Sequence, residues 1–146
     1  MIDVQALRAT TNEAIRAAEA ARVARLAAEE RAQREKSEWV RRETDLKVER
    51  ILGQVPGRCA IEANAGRSHA IVMSLETRYG RNSQVGIYDY ERPTNSGYNG
   101  EFNTAWLCGP GKIVYDNLVA AGLRVTVEYW HDGVGVESGY NLVVHW

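Results

Sequence analysis

The sequence predicts an α+β fold: a long N-terminal helical arm, then a small α/β sandwich whose three- to four-stranded mixed sheet ends in a C-terminal β-hairpin. Three observations predict it. All 13 glycines and all 3 prolines lie at or after position 53, so nothing breaks a helix before then. The stretch 124–146, RVTVEYWHDGVGVESGYNLVVHW, alternates apolar and polar residues twice around a glycine-rich centre. Between an earlier apolar run at 69–75 and that stretch lies KIVYDNLVAA at 112–121, which has helical rather than strand periodicity.

The arm is assigned to residues 1–52. It is rich in Ala, Glu, Arg and Leu, all strong helix formers, with Asp3 placed to cap its start. Gly53 and Pro56 are the expected stop, with a break near Glu35–Glu38 as a second option. Val4, Leu7, Thr11, Ala14, Ala18 and Ala21 keep a heptad spacing that Arg25 ends, a short coiled-coil signal built mostly from small residues. From Val40 onward the stripe is stronger: Thr44, Val48, Ile51 and Val55 follow at helical spacing, so Trp39–Leu52 is expected to pack on the module. Glu30–Arg34 and Glu38–Arg42 have the i, i+4 spacing of helix-surface ion pairs.

The module is assigned to residues 53–146. A short helix is expected over Arg58–Ala65, closed by Gly66. In His69–Leu75, Ala70 and Val72 point one way and Ile71, Met73 and Leu75 the other, which predicts a strand covered on both faces. Residues 76–107 read as a long irregular connection, with a short strand in VGIYDY at 85–90 and turn chemistry at 92–103. Helix 112–121 and strand 123–131 then complete a split βαβ unit with strand 69–75, which makes those two strands parallel.

In the hairpin, pairing Val127 with Val144 sets Val125 against Trp146, Tyr129 against Leu142 and His131 against Tyr140. This places nearly all large apolar side chains on one face. The other face then carries Thr126, Glu128, Trp130, Asn141, Val143 and His145, with Glu128 and His145 as diagonal neighbours. Glu128, Trp130, Asn141 and His145, with His131, Asp132 and Glu137 around the loop, form the expected binding surface. Strand alternation separates His131 from Asp132, which weakens an acid–base reading of the WHD tripeptide.

Gly109-Pro110-Gly111-Lys112 opens a helix and is the candidate anion site through Gly109, Gly111 and Lys112. It is not a P-loop, because Ile113 stands where Ser or Thr would be needed. Histidines 69, 131 and 145 lack metal-ligand spacing, so no metal is expected, and no motif implies a cofactor. Cys59 and Cys108 read as free thiols in a reducing compartment.

A net charge of −1 and a pI near 6.3 give no global footprint for nucleic acid, and the acids interspersed along the arm cancel its arginines. No apolar run reaches a membrane span's length, and no signal-peptide core opens the chain. The expectation is therefore an intracellular, non-enzymatic interaction or assembly protein. Its arm would mediate homo-oligomerisation or docking to a protein partner, and its module would present a binding surface. The alternative is a module that binds or sequesters a small ligand, nucleotides being one class. The third is a small hydrolase using a hairpin histidine.

Overall fold

Helix α1 spans Val4–Asn64. Asp3 caps it as expected: its Oδ1 accepts from the Gln5 and Ala6 N–H groups at 2.9 and 3.2 Å. The computed structural model describes residues 1–78, 86–93, 101–134 and 137–146. They form two compact units, Met1–Trp39 and Val40–Trp146.

In the first unit every residue is exposed, including Ile15, Val23 and Leu26. The ion pairs along it are Glu19–Arg22 and Arg25–Glu29, both between exposed side chains and so worth little each.

In the second unit the stripe on α1 is core. Val48, Ile51 and Val55 are buried, and Val40 and Thr44 are half-buried. The helix does not end at Gly53. It continues through Pro56 and absorbs the short helix expected over 58–65. Glycine and proline cost roughly 1 and 3 kcal/mol inside a helix. Here Val55 and Cys59 still pack on the core one and two turns past Ile51, while Gly53, Pro56 and Gly57 lie on the exposed side. Tertiary packing thus overrides local punctuation. The true stop is at Gly66, where φ is +78° and the Gly66 and Arg67 N–H groups bond back to the Ala63 and Glu62 carbonyls.

Three strands follow: β1 (His69–Leu75), β2 (Arg124–His131) and β3 (Ser138–His145), in the spatial order β1-β3-β2. Both neighbouring pairs are antiparallel, so β1 and β2 run parallel with β3 inserted between them. This is the expected split βαβ arrangement, but the sheet is antiparallel throughout rather than mixed. The VGIYDY stretch contributes no further strand among the described residues. Tyr90 makes only isolated bridges to Thr77 and Leu107.

A β-bulge corrects the two-sided reading of β1. Ile71 pairs with Val143 and Met73 with Leu142, so Val72 is an extra residue and the alternation changes phase. Ala70, Val72, Met73 and Leu75 are consequently all buried, while Ile71 is 49% exposed. One sheet face is covered, not two.

Helix α2 spans Gly109–Ala120, three residues earlier than its apolar period suggests, with Pro110 in the first turn. Pro110, Val114 and Leu118 are its buried side chains, the last two facing the core. Val114 and Leu118 join Val48, Ile51 and Val55, the buried residues of β1, and Leu142 and Val144 in one core cluster. Gly122, at φ +85°, closes the helix as Gly66 closes α1.

If the core lies on one face only, truncating opposite sides of the sheet should give unequal costs. Leu142→Ala, at a fully buried site, is expected to lose about 2–5 kcal/mol in urea denaturation. Ile71→Ala should lose under about 1 kcal/mol. Similar losses at both sites would restore the two-sided strand.

Candidate functional site

The hairpin register differs by two residues from the expected one. Val127 pairs with Leu142, Val125 with Val144, Tyr129 with Tyr140 and His131 with Ser138. An even shift keeps every side chain on its expected face. The loop sets the shorter connection: Asp132 N–H bonds the Glu137 carbonyl, His131 Nδ1 accepts from Gly133 N–H, and Asp132 Oδ1 accepts from Val134 N–H. His131, Asp132 and Glu137 therefore shape the turn, and His131 lies on the face opposite Glu128, Trp130, Asn141 and His145. Trp146 pairs with no residue of β2; its N–H bonds the Ser68 carbonyl instead.

The sheet face away from the core presents three cross-strand rows. The first is His69–His145–Arg124, the second Ile71–Val143–Thr126, and the third Ser74–Asn141–Glu128. Trp130 follows, its indole lying over Gly139, where an added Cβ would come within 3.1 Å of Nε1. Val143 is 1% exposed although it lies on this face.

Glu128 and His145 do meet, at 3.6 Å between Oε1 and Nε2. Thr126, which sequence reading placed on this face without a role, has its hydroxyl 2.8 Å from the same Nε2 and donates to Glu128 at 3.3 Å. A nucleophile–base–acid relay requires the carboxylate on the other ring nitrogen. Here both partners sit on Nε2, so the trio fixes the imidazole without forming that relay. Asn141 accepts from Ser74 at 2.8 Å.

Five of the aromatic residues pack against one another. Tyr90, Phe102, Trp106, Tyr129 and Tyr140 stack edge-to-face and tilted, with centroids 4.9–5.6 Å apart. They seal the end of the core, with Arg92 over the Trp106 ring. Tyr98 lies outside the described residues.

Gly109 and Gly111 serve a packing role. A Cβ on Gly109, at φ +51°, would come within 2.3 Å of the Tyr88 carbonyl, and one on Gly111 within 2.8 Å of the Asp89 Cβ. The start of α2 is pressed onto the 88–89 backbone, and Lys112 pairs with Asp116 at 2.8 Å.

Asp89 is a site that sequence reading missed, having placed it in a strand. It is fully buried. Its Oδ2 accepts from Lys47 Nζ at 3.0 Å and from Glu76 N–H at 2.8 Å. Its own N–H bonds the Glu76 carbonyl, and its carbonyl accepts from Cys108 N–H. Oδ1 has no partner. Burial pushes the Asp89 carboxyl above the ordinary range; the Glu76 N–H and Lys47 oppose that rise, and the Glu76 carboxylate adds to it. Burial also raises the Cys59 and Cys108 thiols, with Asp89 and Glu91 adding to the second. Neither is an activated nucleophile. Among the described residues, no group of three or more His, Cys, Asp or Glu is placed to hold a metal ion, and no helix is long and apolar enough to cross a membrane.

Lys47→Met leaves a buried carboxylate unpaired and should cost about 3–5 kcal/mol in chemical denaturation. The pH dependence has a definite sign. With its pKa raised on folding, Asp89 holds its proton more tightly in the native state. Stability from this group therefore falls as pH rises from about 4, the unfolded value, through the folded one. Urea titrations should show wild type losing stability relative to Asp89→Asn across that window, and the opposite trend would mean that Lys47 outweighs burial.

No family model, curated protein or solved structure matches this chain.

Proposed function

We propose that the protein is a non-enzymatic assembly or interaction protein whose N-terminal arm associates with a second copy of itself. The observation that carries this reading is the Met1–Trp39 unit: a helix from Val4 onward in which every residue is exposed. Isolated helices draw little stability from propensity alone, and most protein helices gain it by burying a face. Ile15, Ala20, Val23, Ala24 and Ala27 line a shallow surface depression on the arm, with Arg16 and Glu19 at it as well. Ile15, Val23 and Leu26 are 61%, 54% and 43% exposed.

A second copy is favoured over a highly charged partner by the charge pattern. Residues 1–39 carry seven Lys/Arg and seven Asp/Glu, interleaved along the helix. Such a surface has no net charge to repel its own copy, and both signs are available for pairing. Alanine at 11 of the other 25 positions lets helix axes approach closely.

The test is sedimentation of the whole chain over a concentration series. Self-association is expected, and it should be lost in Ile15→Glu/Val23→Glu, with the near-ultraviolet circular dichroism of the aromatic-rich module unchanged. A wild-type chain that stays monomeric throughout would refute the reading.

A further inference from the structure

The row His69–His145–Arg124 ends the open face of the sheet, and it sits beside an open cavity of about 350 Å³ lined by Ser68, Arg124, His145 and Trp146. The volume is in the range of small-ligand sites. The His69 and His145 rings are 5.9 Å apart, and Arg124 is the direct cross-strand neighbour of His145. Arg124 is exposed, and its side chain makes no hydrogen bond or ion pair with another described residue. The nearby arginines are engaged: Arg58 donates to the Ile71 and Val72 carbonyls, and Arg67 pairs with Glu62. Arg124 thus holds a fixed cation, with its guanidinium fork unused, beside an imidazole that Thr126 and Glu128 already hold in place.

We propose that this cavity binds a phosphate group. Arg124 supplies a planar donor fork suited to two phosphate oxygens. The Ser68 hydroxyl supplies a further donor from the turn before β1, and the His145 ring forms the cavity wall between the two. The site is anchored on both sides, because the Trp146 N–H bonds the Ser68 carbonyl at 3.1 Å and closes the end of β3 onto that turn. Trp146, 48% exposed at the cavity wall, offers a flat apolar surface to whatever carries the phosphate. Glu128, on β2 four residues beyond Arg124, is an acid in this neighbourhood: its Oε1 lies 3.6 Å from His145 Nε2 and pairs there rather than with the arginine. The site is independent of self-association through the arm, so either reading can fail alone.

The experiment is calorimetric titration of the whole chain with inorganic phosphate and with phenyl phosphate, in a zwitterionic buffer at low salt. Binding is expected, weakened roughly tenfold or more by Arg124→Ala. Glu128→Gln should tighten it, because an acid near the site is removed. Arg50→Ala, at an exposed arginine of α1, should leave it unchanged. A tighter phenyl phosphate whose advantage disappears in Trp146→Ala identifies an organic monoester as the source, and equal affinities identify free phosphate. The proposal is overturned if wild type binds neither, or if Arg124→Ala binds both as wild type does.

Discussion

The buried carboxylate of Asp89 is where four parts of the second unit are tied together. Lys47 reaches it from α1, and at the end of β1 the Glu76 N–H donates to it while the Glu76 carbonyl accepts from the Asp89 N–H. Cys108 N–H bonds its carbonyl just before α2 begins, and Gly111 in the first turn of α2 leaves no room between helix and Asp89 backbone. An ion pair in such a place has a large desolvation cost that its Coulomb attraction only partly offsets. Its contribution is therefore better understood as positional. Without a charge on Lys47 the carboxylate has no counter-ion, and with a side chain at position 111 the helix start cannot close onto residues 88–89. The unpartnered Oδ1 and the raised pKa both follow from this confinement.

Confinement also explains what could be seen in the sequence. The helical stripe from Val40 to Val55 and the two faces of the hairpin were legible because each is a periodic pattern repeated over several residues. Faces depend only on parity, so they survived a register shift of two. The register itself depended on His131 Nδ1 and Asp132 Oδ1 accepting loop N–H groups, contacts with no periodic signature. The bulge at Val72 was invisible for a related reason: one inserted residue reverses the phase, and strict alternation assigns Met73 and Ile71 to the same side. Gly53 and Pro56 misled in the opposite sense. They are helix stops locally, but Val55 and Cys59 continue the buried stripe beyond them. Asp89, in an ordinary-looking YDY, gave no sign that Lys47, 42 residues earlier, would reach it.

The candidate site was half legible. Glu128, Trp130, Asn141 and His145 do share a face. The members that give it chemical character, Thr126 on His145 and Arg124 beside it, were passed over because a threonine and an arginine on an outward strand face are unremarkable by type. Their significance arises only from the three-strand order, which places β3 at the centre and so sets His145 between His69 and Arg124. A parallel β1–β2 pair with the hairpin at the edge would have separated those three residues.

The composition of the arm constrains how the proposed self-association would work. Alanine gives close approach but little apolar area, and Ile15, Val23 and Leu26 are spaced too widely to form a compact hot spot. A stable interface buries on the order of 1,200–2,000 Å² in total. With small side chains, that area could be collected only along many turns, and the 36 residues from Val4 to Trp39 offer roughly 54 Å of helix for it. Such an interface tolerates a single truncation but not a buried like-charge or unpaired-charge contact, since each new charge must be desolvated against an apolar surface. Its specificity would come less from packing than from the order in which its seven acids and seven bases meet those of the second chain.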